Sequence, residues 1–407
     1  MVAHVSHAQP SVAQTPAQIP VHPLGAISAA SKDTLGAQLV VRGLSNGGVL
    51  VNDIARRRVL LFDASLGHFT VVMDSAGSGG SAIAAVVPSS SLIRALGDTT
   101  LYVDVASQSL LVLDGVGKVA RVMALPKPQD AIYLALGAAY GAPGLDPKGR
   151  LIYRGVIVIP PKPQEPGSRL GFQLPEQPDS APIVRADFDT RKLDTITTLK
   201  VFRPGAMSMT PDAEGNMTIK ITINPMDTGD EWAMLSDGTI AIVRAHDYHI
   251  DWVDPDGARR STPKMPFDWK RMTDEEKQFK IDSMKPEIDK AIANSPVRTI
   301  PTADGPRKLT IQYDFVALDK MPDYQPPISP GSIKPDFDGN LWIVPRTSLL
   351  AAQTGALVYD VVNRLGEITK RVQFPKGVAL AGFGPGGAVY VTRTNGTASF
   401  LERAQVR

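Results

Sequence analysis

Residues 44–53 read Leu44-Ser-Asn-Gly-Gly-Val-Leu-Val-Asn-Asp53, and the same phrase returns as Leu96-Gly-Asp-Thr-Thr-Leu-Tyr-Val-Asp104. In each copy a glycine-containing turn is followed by apolar strand residues and then by an aspartate. Because glycine adopts the positive φ that a tight turn between twisted strands needs, each copy predicts a β-hairpin. Further copies of this hairpin phrase begin at Leu145, Leu235, Phe337 and Phe383.

The first two copies also share the segments that follow them. Each segment runs ten residues from one aspartate to the next, from Asp53 to Asp63 and from Asp104 to Asp114, and a fourth strand follows. Four antiparallel strands that recur about every 50 residues are typical of a propeller blade. The hairpin phrases therefore predict an all-β fold, a six-bladed β-propeller with four-stranded blades.

The last predicted blade is one strand short. Its strands lie near 378–382, 388–394 and 397–403. The segment Leu24–Ala30 is the predicted fourth strand, because a ring closed by strand exchange leaves no free sheet edge. We therefore expect a propeller over residues 24–407 that is closed by an N-terminal strand.

Two long intervals between the hairpin phrases predict insertions. Residues 159–182 are rich in proline, which cannot occupy a central strand. Residues 262–325 contain the one convincing helix, at 273–293, which begins with a capping-box pair. Pro286 interrupts that helix, which predicts either a kink or two short helices. The apolar residues of the helix form a broad stripe: Phe279, Met284, Ile288 and Ile292.

The N-terminal tail, residues 1–23, contains no Lys or Arg and no continuous apolar core, so it is not a complete secretory signal. Ser6-His7-Ala8 has the small residues of a cleavage site whose upstream half has been removed. An ordinary disordered leader accounts for the same residues. We expect an extended tail and a secreted or periplasmic protein.

Composition excludes several functions. The 407 residues carry 43 Lys and Arg against 41 Asp and Glu, so no strong field attracts the chain to nucleic acid or to an acidic membrane. Apolar runs are far shorter than the roughly 20 residues that span a bilayer, so we expect no transmembrane segment. Cysteine is absent, which excludes disulfides, thiolate catalysis and Cys-ligated zinc.

The repeated phrase of an Asp-Gly turn, a strand, an aspartate and another strand resembles the six-bladed propellers of the NHL, TolB-like and SMP-30/gluconolactonase group. Three segments, Asp247–Gly257, Pro266–Trp269 and Tyr359–Arg364, are similar to uncharacterised exported propellers of soil bacteria such as the Gemmatimonadota. The resemblance implies a fold and no single activity, because propellers include lactonases, lyases, receptors and scaffolds.

Motifs of catalysis are missing. The sequence has no Gly-x-Ser-x-Gly elbow, no phosphate-binding loop and no His-Glu-x-x-His. The Gly-Ser segment 75–81 precedes no Lys-Ser or Lys-Thr pair, so we interpret it as a loop between blades.

His246 and His249 are three residues apart on a predicted strand and therefore lie on opposite faces. We expect no chelating pair, no catalytic set and no cofactor, and His246 is either a polar residue at the rim or an ordinary loop histidine.

The lactonase-like resemblance implies an axial metal held by acidic and amide side chains. Asp53 and Asp104 lie at the ends of the second strands of the first two predicted blades. From that position a side chain can reach the mouth of the ring. The corresponding ends of the later blades carry arginines, which would repel a divalent cation, so we expect no metal. These arginines are Arg154, Arg244, Arg346 and Arg393.

Arg42 and Arg94 occupy matching places on the innermost strands, two residues before the hairpin phrases. Arginine is permanently charged, and its paired donors suit carboxylate or phosphate oxygens. The predicted ligand-binding set therefore contains these six arginines together with Asp53, Asp104 and His246. Alternatively, arginines and aspartates of neighbouring blades pair with one another. The spacing from the turn glycine differs among the arginines and leaves open which face each one takes.

We predict an exported, non-enzymatic propeller that binds a protein partner or a small acidic ligand at its loop face. The alternative is a lactonase-like hydrolase or lyase that acts at the mouth of the channel. The lack of a coherent acid, base or metal set in the sequence favours binding over catalysis.

Overall fold

The structure, a computed structural model, describes residues 19–75, 91–157, 178–203, 205–211, 215–294, 298–302, 305–352, 355–395 and 398–406. The fold is mostly β, with 46% of the described residues in strands and 12% in helices, which confirms the predicted class. The predicted cleavage site at residues 6–8, the loop at 76–81 and most of the proline-rich insertion lie outside the described residues.

The strands form antiparallel units in which each strand pairs with the next along the chain. Two short strands come first, β1 (Val21–Pro23) and β2 (Ile27–Ala30). The first three units are unit 1 (β3 Leu39–Gly43, β4 Val49–Asp53, β5 Arg58–Phe62, β6 Phe69–Asp74), unit 2 (β7 Ile93–Arg94, β8 Thr100–Asp104, β9 Ser109–Leu113, β10 Val119–Ala124) and unit 3 (β11 Gly144–Leu145, β12 Leu151–Arg154, β13 Ser180–Ala186, β14 Leu193–Lys200).

The second half of the chain alternates further units with an inserted sheet. Its strands are, in order, β15 (Gly205–Pro211) and β16 (Met217–Ile223); unit 4 (β17 Glu231–Met234, β18 Ile240–Arg244, β19 His249–Val253, β20 Arg259–Ser261); β21 (Arg298–Thr302) and β22 (Gly305–Phe315); unit 5 (β23 Ile333–Pro335, β24 Leu341–Ile343, β25 Leu357–Val362, β26 Ile368–Phe374); and unit 6 (β27 Val378–Gly384, β28 Ala388–Asn395, β29 Ala398–Gln405). The inserted sheet has the order β15-β16-β22-β21, and its two halves meet where β16 pairs in parallel with β22.

The N-terminal strands pair with the units at the other end of the chain. The strand predicted at Leu24–Ala30 is present as β2, which pairs antiparallel with β29 and so gives unit 6 its fourth strand. Strand β1 pairs in parallel with β26 of unit 5. Parallel pairing of β27 with β3 then joins unit 6 to unit 1 in one eight-stranded sheet, and β7 pairs in the same way with β11.

The hydrophobic core is divided among clusters that lie between consecutive units. Leu50 of unit 1 and Tyr102 of unit 2 belong to one such cluster, and Trp342 of unit 5 and Phe383 of unit 6 belong to another. Corresponding clusters join units 2 and 3, units 3 and 4, units 4 and 5, and units 6 and 1. Each unit is therefore buried against both of its neighbours, as expected from strands that are apolar on both faces.

An aspartate or asparagine at the start of several hairpin turns has a direct structural role. Its Oδ1 accepts the backbone N–H groups of the residues two and four positions later, which mimics a backbone turn. The residue between those two donors has a positive φ, for example +76° at Gly149 and +82° at Gly339, which explains the glycine of the phrase. The same contacts occur at Asp63, Asp114, Asp146, Asp336 and Asn363.

We expect Asp336→Ala to lower the free energy of unfolding by about 3 kcal/mol. Asp336 is buried, and in addition to its two turn contacts it accepts hydrogen bonds from Asn340 Nδ2 (2.9 Å) and Trp342 Nε1 (3.1 Å). Asp114→Ala is the matched control, because Asp114 makes the turn contacts alone, and its loss should be about 1 kcal/mol. Urea unfolding measures both values, and equal losses would contradict this role for Asp336.

Helix α2 (Asp274–Ala293) lies within the predicted insertion; two shorter helices, α1 (Ala131–Ala135) and α3 (Arg346–Ala351), were not predicted. The predicted capping box opens α2. Pro286 lies inside the helix, which continues on both sides of it, so the prediction of two short helices is wrong. Phe279 of the apolar stripe is 72% exposed, whereas Lys277 and Ile281 are buried.

Lys277 can occupy the buried face of α2 because its ammonium group is satisfied there. Its Nζ donates to the carbonyl oxygens of Leu318 and Met321 and also approaches Asp323.

No helix in the described part of the chain has the length and apolar character that a bilayer-spanning helix requires.

Candidate functional site

A cavity of about 190 Å³ lies where the first strands of the units meet. We call it the central cavity. It takes lining residues from the first strand of each unit, or from the segment just before that strand in unit 3, and examples in chain order are Val41, Arg94, Ala142, Met234, Lys334 and Phe383. The architecture therefore brings side chains together that are far apart in the sequence.

The first strands approach each other closely on the wall of this cavity. Gly382 of β27 lies directly against β3, and a Cβ atom at this position would be 1.9 Å from the carbonyl oxygen of Val41. Any larger residue would therefore push the two strands apart. The glycine thus permits the parallel pairing between unit 6 and unit 1.

Arg42 lies on the cavity wall, but its guanidinium group is used for structure. The side chain is only 6% exposed. It donates to the carbonyl oxygens of Gly97 (2.9 Å) and Thr99 and to Thr100 Oγ1, all in the β7–β8 hairpin of unit 2. Burial, with a smaller effect from neighbouring Arg94, lowers the pKa of Arg42 to about 10. The hydrogen bonds of Arg42 therefore link unit 1 to unit 2.

Arg94 occupies the matching position in unit 2 and has a different environment. Its guanidinium carbon lies 4.1 Å from the centre of the Phe337 ring, which belongs to the β23–β24 turn of unit 5. This is the geometry of a cation–π interaction. Among the described residues its side chain has no carboxylate partner, and burial lowers its pKa. The guanidinium group can still donate hydrogen bonds to an anion.

Lys334 contributes a second cation to the central cavity. Its ammonium group makes no hydrogen bond or ion pair with any described residue, and burial lowers its pKa. Asp336 is the one carboxylate among the described residues that line the cavity. Both of its oxygens are already used by backbone amides, Asn340 and Trp342. The cavity is therefore rich in positive charge that no neighbouring carboxylate neutralises directly.

The predicted ligand-binding residues do not form one group, because they lie at two different ends of their units. Arg42 pairs with Leu50 at the start of β4, whereas Asp53 is the last residue of that strand and pairs with Leu39. In unit 2, Arg94 pairs with Thr100 at the start of β8, and Asp104 ends the same strand. The arginines of the first strands and the residues at the ends of the second strands are thus separated by a strand length.

Asp53 and Asp104 are held in local structural contacts. Asp53 is fully buried; it forms an ion pair with Arg58 (3.0 Å) and accepts the N–H of Gly36 (3.1 Å). Asp104 accepts hydrogen bonds from Ser107 Oγ and from the backbone of Ala106 in the turn that follows β8. Both carboxylates stabilise the ends of their strands.

The arginines at the other second-strand ends also have partners. Arg244 pairs with Asp230 and Asp251, both at 2.7 Å, and Arg393 pairs with Glu402 at 2.7 Å. Both arginines are therefore held in ion pairs, but with acids of their own units and not, as the alternative stated above expects, with aspartates of neighbouring blades. The remaining members of the predicted set are Arg346, which donates to the carbonyl oxygen of Pro225 (2.9 Å), and His246, which is exposed.

Arg154 differs from the other arginines at strand ends. Its guanidinium carbon lies 4.4 Å from the centre of the Tyr140 ring, and its Nε is buried without a hydrogen-bond partner among the described residues. It lines a second, larger cavity of about 720 Å³. Arg154 is therefore separated from Arg94 and Lys334.

Sequence reasoning missed Lys334 and Phe337. A signal for Lys334 was present, since it lies on a first strand just before a hairpin phrase, as Arg42 and Arg94 do. Within the stretches that the structure describes, no group of three or more His, Asp or Glu side chains is arranged to hold a metal ion.

Comparison with known proteins gives a distant likeness. No protein-family model matches the chain, and no curated protein does. Among solved structures, a catalytically inactive virginiamycin B lyase from Staphylococcus aureus with quinupristin is 10% identical, covers 95% of this chain and 99% of its own, and has a TM-score of 0.38. A gluconolactonase from Xanthomonas campestris is 12% identical, with coverages of 96% and 99% and a TM-score of 0.36.

The calcium-binding protein regucalcin from Agrobacterium tumefaciens is similar at the same level. It is 11% identical, covers 96% of this chain and 98% of its own, and has a TM-score of 0.39. The neighbours of this chain thus include a lyase, a gluconolactonase and regucalcin. At such identities and TM-scores the likeness assigns no activity to this chain.

Proposed function

We propose that the protein is a six-bladed β-propeller, with units 1–6 as its blades, and that it binds a small organic anion in the central cavity. The contacts between units support the ring, because hydrophobic clusters join each unit to the next and join unit 6 to unit 1. Strand β2 supports the closure, because it covers the outer edge of unit 6.

The observation that carries the binding function is the pair of cations Arg94 and Lys334. Both side chains are half-buried, and charges removed from water are costly unless they are paired. Neither side chain has a carboxylate partner among the described residues. A bound anion would supply that partner. Arginine presents a planar set of hydrogen-bond donors, and lysine presents a compact positive charge. Together they suit the two oxygens of a carboxylate.

The dimensions of the central cavity limit the ligand. Its volume of about 190 Å³ is below the roughly 300–1,000 Å³ of sites that hold drug-sized molecules. Apolar side chains such as Val41, Ile333 and Phe383 form much of the wall. We therefore propose a carboxylate of a few carbon atoms as the ligand. The secreted or periplasmic location remains part of this proposal and is supported by the sequence of the tail alone.

Lys334→Met is expected to weaken the binding of a small carboxylate at least tenfold, which corresponds to about 1.4 kcal/mol. Isothermal titration with acetate, pyruvate and succinate measures the affinity. Lys376→Met is the matched control, because Lys376 is exposed and does not line the cavity. Equal affinity in wild type and Lys334→Met would refute the site. Steady conversion of a lactone by the wild-type protein would favour the hydrolase or lyase instead.

The same site predicts a pH dependence. Burial lowers the pKa of the Lys334 ammonium group, so a rise in pH through that lowered pKa removes its charge before an ordinary lysine loses its own. A bound anion favours the protonated form, and its affinity should therefore fall as the pH rises through this range. Titrations over a pH series check this, and the same series on Lys334→Met should lack that part of the fall.

A further inference from the structure

The cavity of about 720 Å³ that Arg154 lines is independent of the central cavity, and we call it the side cavity. It lies between unit 3, the inserted sheet and helix α2. Its volume falls in the range of ligand sites. The walls are mostly apolar and include Ile157, Phe202, Met207, Ile221 and Met284.

Several of these apolar side chains are accessible to solvent. Met207 is 44% exposed, Ile157 41% and Met284 36%. Residues of this kind are normally covered in a folded domain, and their clustering around one concave surface is typical of a binding site. Part of the apolar stripe that the sequence predicts on α2, Met284 and Ile288, thus faces this cavity.

The charges of the side cavity have one sign. Its described lining residues include two arginines, Arg154 and Arg203, and no Asp or Glu. The buried Arg154 Nε has no hydrogen-bond partner among the described residues, and the guanidinium group stacks on Tyr140. Stacking orients the plane of the guanidinium group and leaves its edge for a carboxylate.

One acid acts on Arg154 electrostatically without pairing with it. Glu231 is close enough to favour the charged arginine, but the two form no ion pair among those that the described residues make. Instead, Glu231 accepts the backbone N–H of Gly331 (3.0 Å). Burial raises the pKa of Glu231 to about 8, so near neutral pH much of it is protonated and contributes little negative charge. Arg154 therefore remains available to an incoming anion.

We propose that the side cavity binds a hydrophobic monocarboxylate, an acyl or aryl chain whose single carboxylate pairs with Arg154. The apolar walls disfavour a polyanion. The second arginine of the cavity, Arg203, already has a partner, so a further charge on the ligand would be desolvated without a free counter-charge. The single stacked arginine requires one acidic group on the ligand. The chain would cover the exposed side chains of Ile157, Met207 and Met284, as expected for apolar surface removed from water.

Binding of dodecanoate to the full chain tests this site, with dodecan-1-ol and acetate as comparison ligands. We expect saturable binding of dodecanoate, at least 20-fold weaker binding of the alcohol, and at least 20-fold weaker binding of dodecanoate to Arg154→Met. Arg185→Met is the matched control, because Arg185 lies in the same unit, pairs with Asp194 and lines neither the central nor the side cavity.

A second variant tests the cavity without changing its charge. Ile221→Trp fills part of the space and should weaken dodecanoate binding although Arg154 is intact, and thermal unfolding of each variant verifies that it is folded. Equal affinity for dodecanoate in wild type and Arg154→Met would overturn the proposal, as would the absence of saturable binding to the wild type. Loss of binding in Lys334→Met but not in Arg154→Met would locate the ligand in the central cavity and would also overturn it.

Discussion

Removal of residues 19–32 from a chain that already lacks residues 1–18 is expected to lower the free energy of unfolding by about 4 kcal/mol or more. The removed segment contains β1 and β2. Ser31 exchanges hydrogen bonds with Leu401 through its backbone N–H (2.8 Å) and its Oγ (3.0 Å), and Leu24 donates to Gln373 (2.8 Å). Each lost hydrogen bond is worth about 1 kcal/mol, and the edge of β29 would become exposed.

Urea unfolding of the two truncated chains measures this difference directly. Both chains lack residues 1–18, so the comparison isolates residues 19–32. Equal free energies of unfolding would show that β2 does not hold unit 6 closed. Association of the shorter chain through its uncovered edge strand would support the same role for β2, because exposed edges pair with other chains.

Arg42→Met should lower the free energy of unfolding by about 3 kcal/mol, the second large effect. The substitution keeps an unbranched side chain of similar length but removes the donors to Gly97, Thr99 and Thr100. Those acceptors of unit 2, of which Thr100 is buried, would then lose their donor. The variant no longer buries a charged group, and this offsets part of the stability lost with the hydrogen bonds. The expected decrease in the free energy of unfolding therefore stays near 3 kcal/mol.

Arg94→Met is the matched control for Arg42, because it makes the same substitution at the equivalent place one unit later. The Arg94 side chain donates no hydrogen bond to the described residues, so its loss should cost little stability and should weaken the binding of small carboxylates. Thermal unfolding and titration of both variants separate the two roles. Equal destabilisation by the two substitutions would contradict the assignment of Arg42 to structure and of Arg94 to binding.

The hairpins could be predicted because their information is local. An aspartate such as Asp146 and the glycine three residues later, Gly149, interact within one turn, so the same few letters recur wherever the turn recurs. The N-terminal strand was also predictable, because the final unit was one strand short. The closed ring of six blades itself stays a prediction, for which the clusters between units are the support.

The inserted sheet could not be predicted, because its pairing is not local. Strand β16 pairs with β22, and the contact between Asn216 and Lys308 crosses 92 positions of the sequence. The burial of Lys277 on α2 could not be predicted for a related reason. The helical period indicates an apolar stripe, but Lys277 finds carbonyl partners in a loop more than 40 residues later, which no pattern within the helix contains.

The candidate site was predictable in part. Arg42 and Arg94 were selected by their place before a hairpin phrase, and both do line the central cavity. Which of them is available to a ligand depends on its neighbours in the folded chain. Arg42 meets three acceptors in unit 2, whereas Arg94 meets the Phe337 ring from unit 5. The sequence specifies the charges, and only the tertiary contacts distinguish a structural arginine from a free one.

The pairing of β2 with β29 has a consequence for biosynthesis. Ser28 contacts Arg403 across 375 positions of the sequence, so a ribosome that adds roughly 5–20 residues per second needs about 20–75 s to make the second partner after the first. Throughout that time the nascent β2 has no partner strand. The last steps of translation therefore set the earliest moment at which unit 6 can fold, and the emerging chain depends until then on its own solubility or on chaperones.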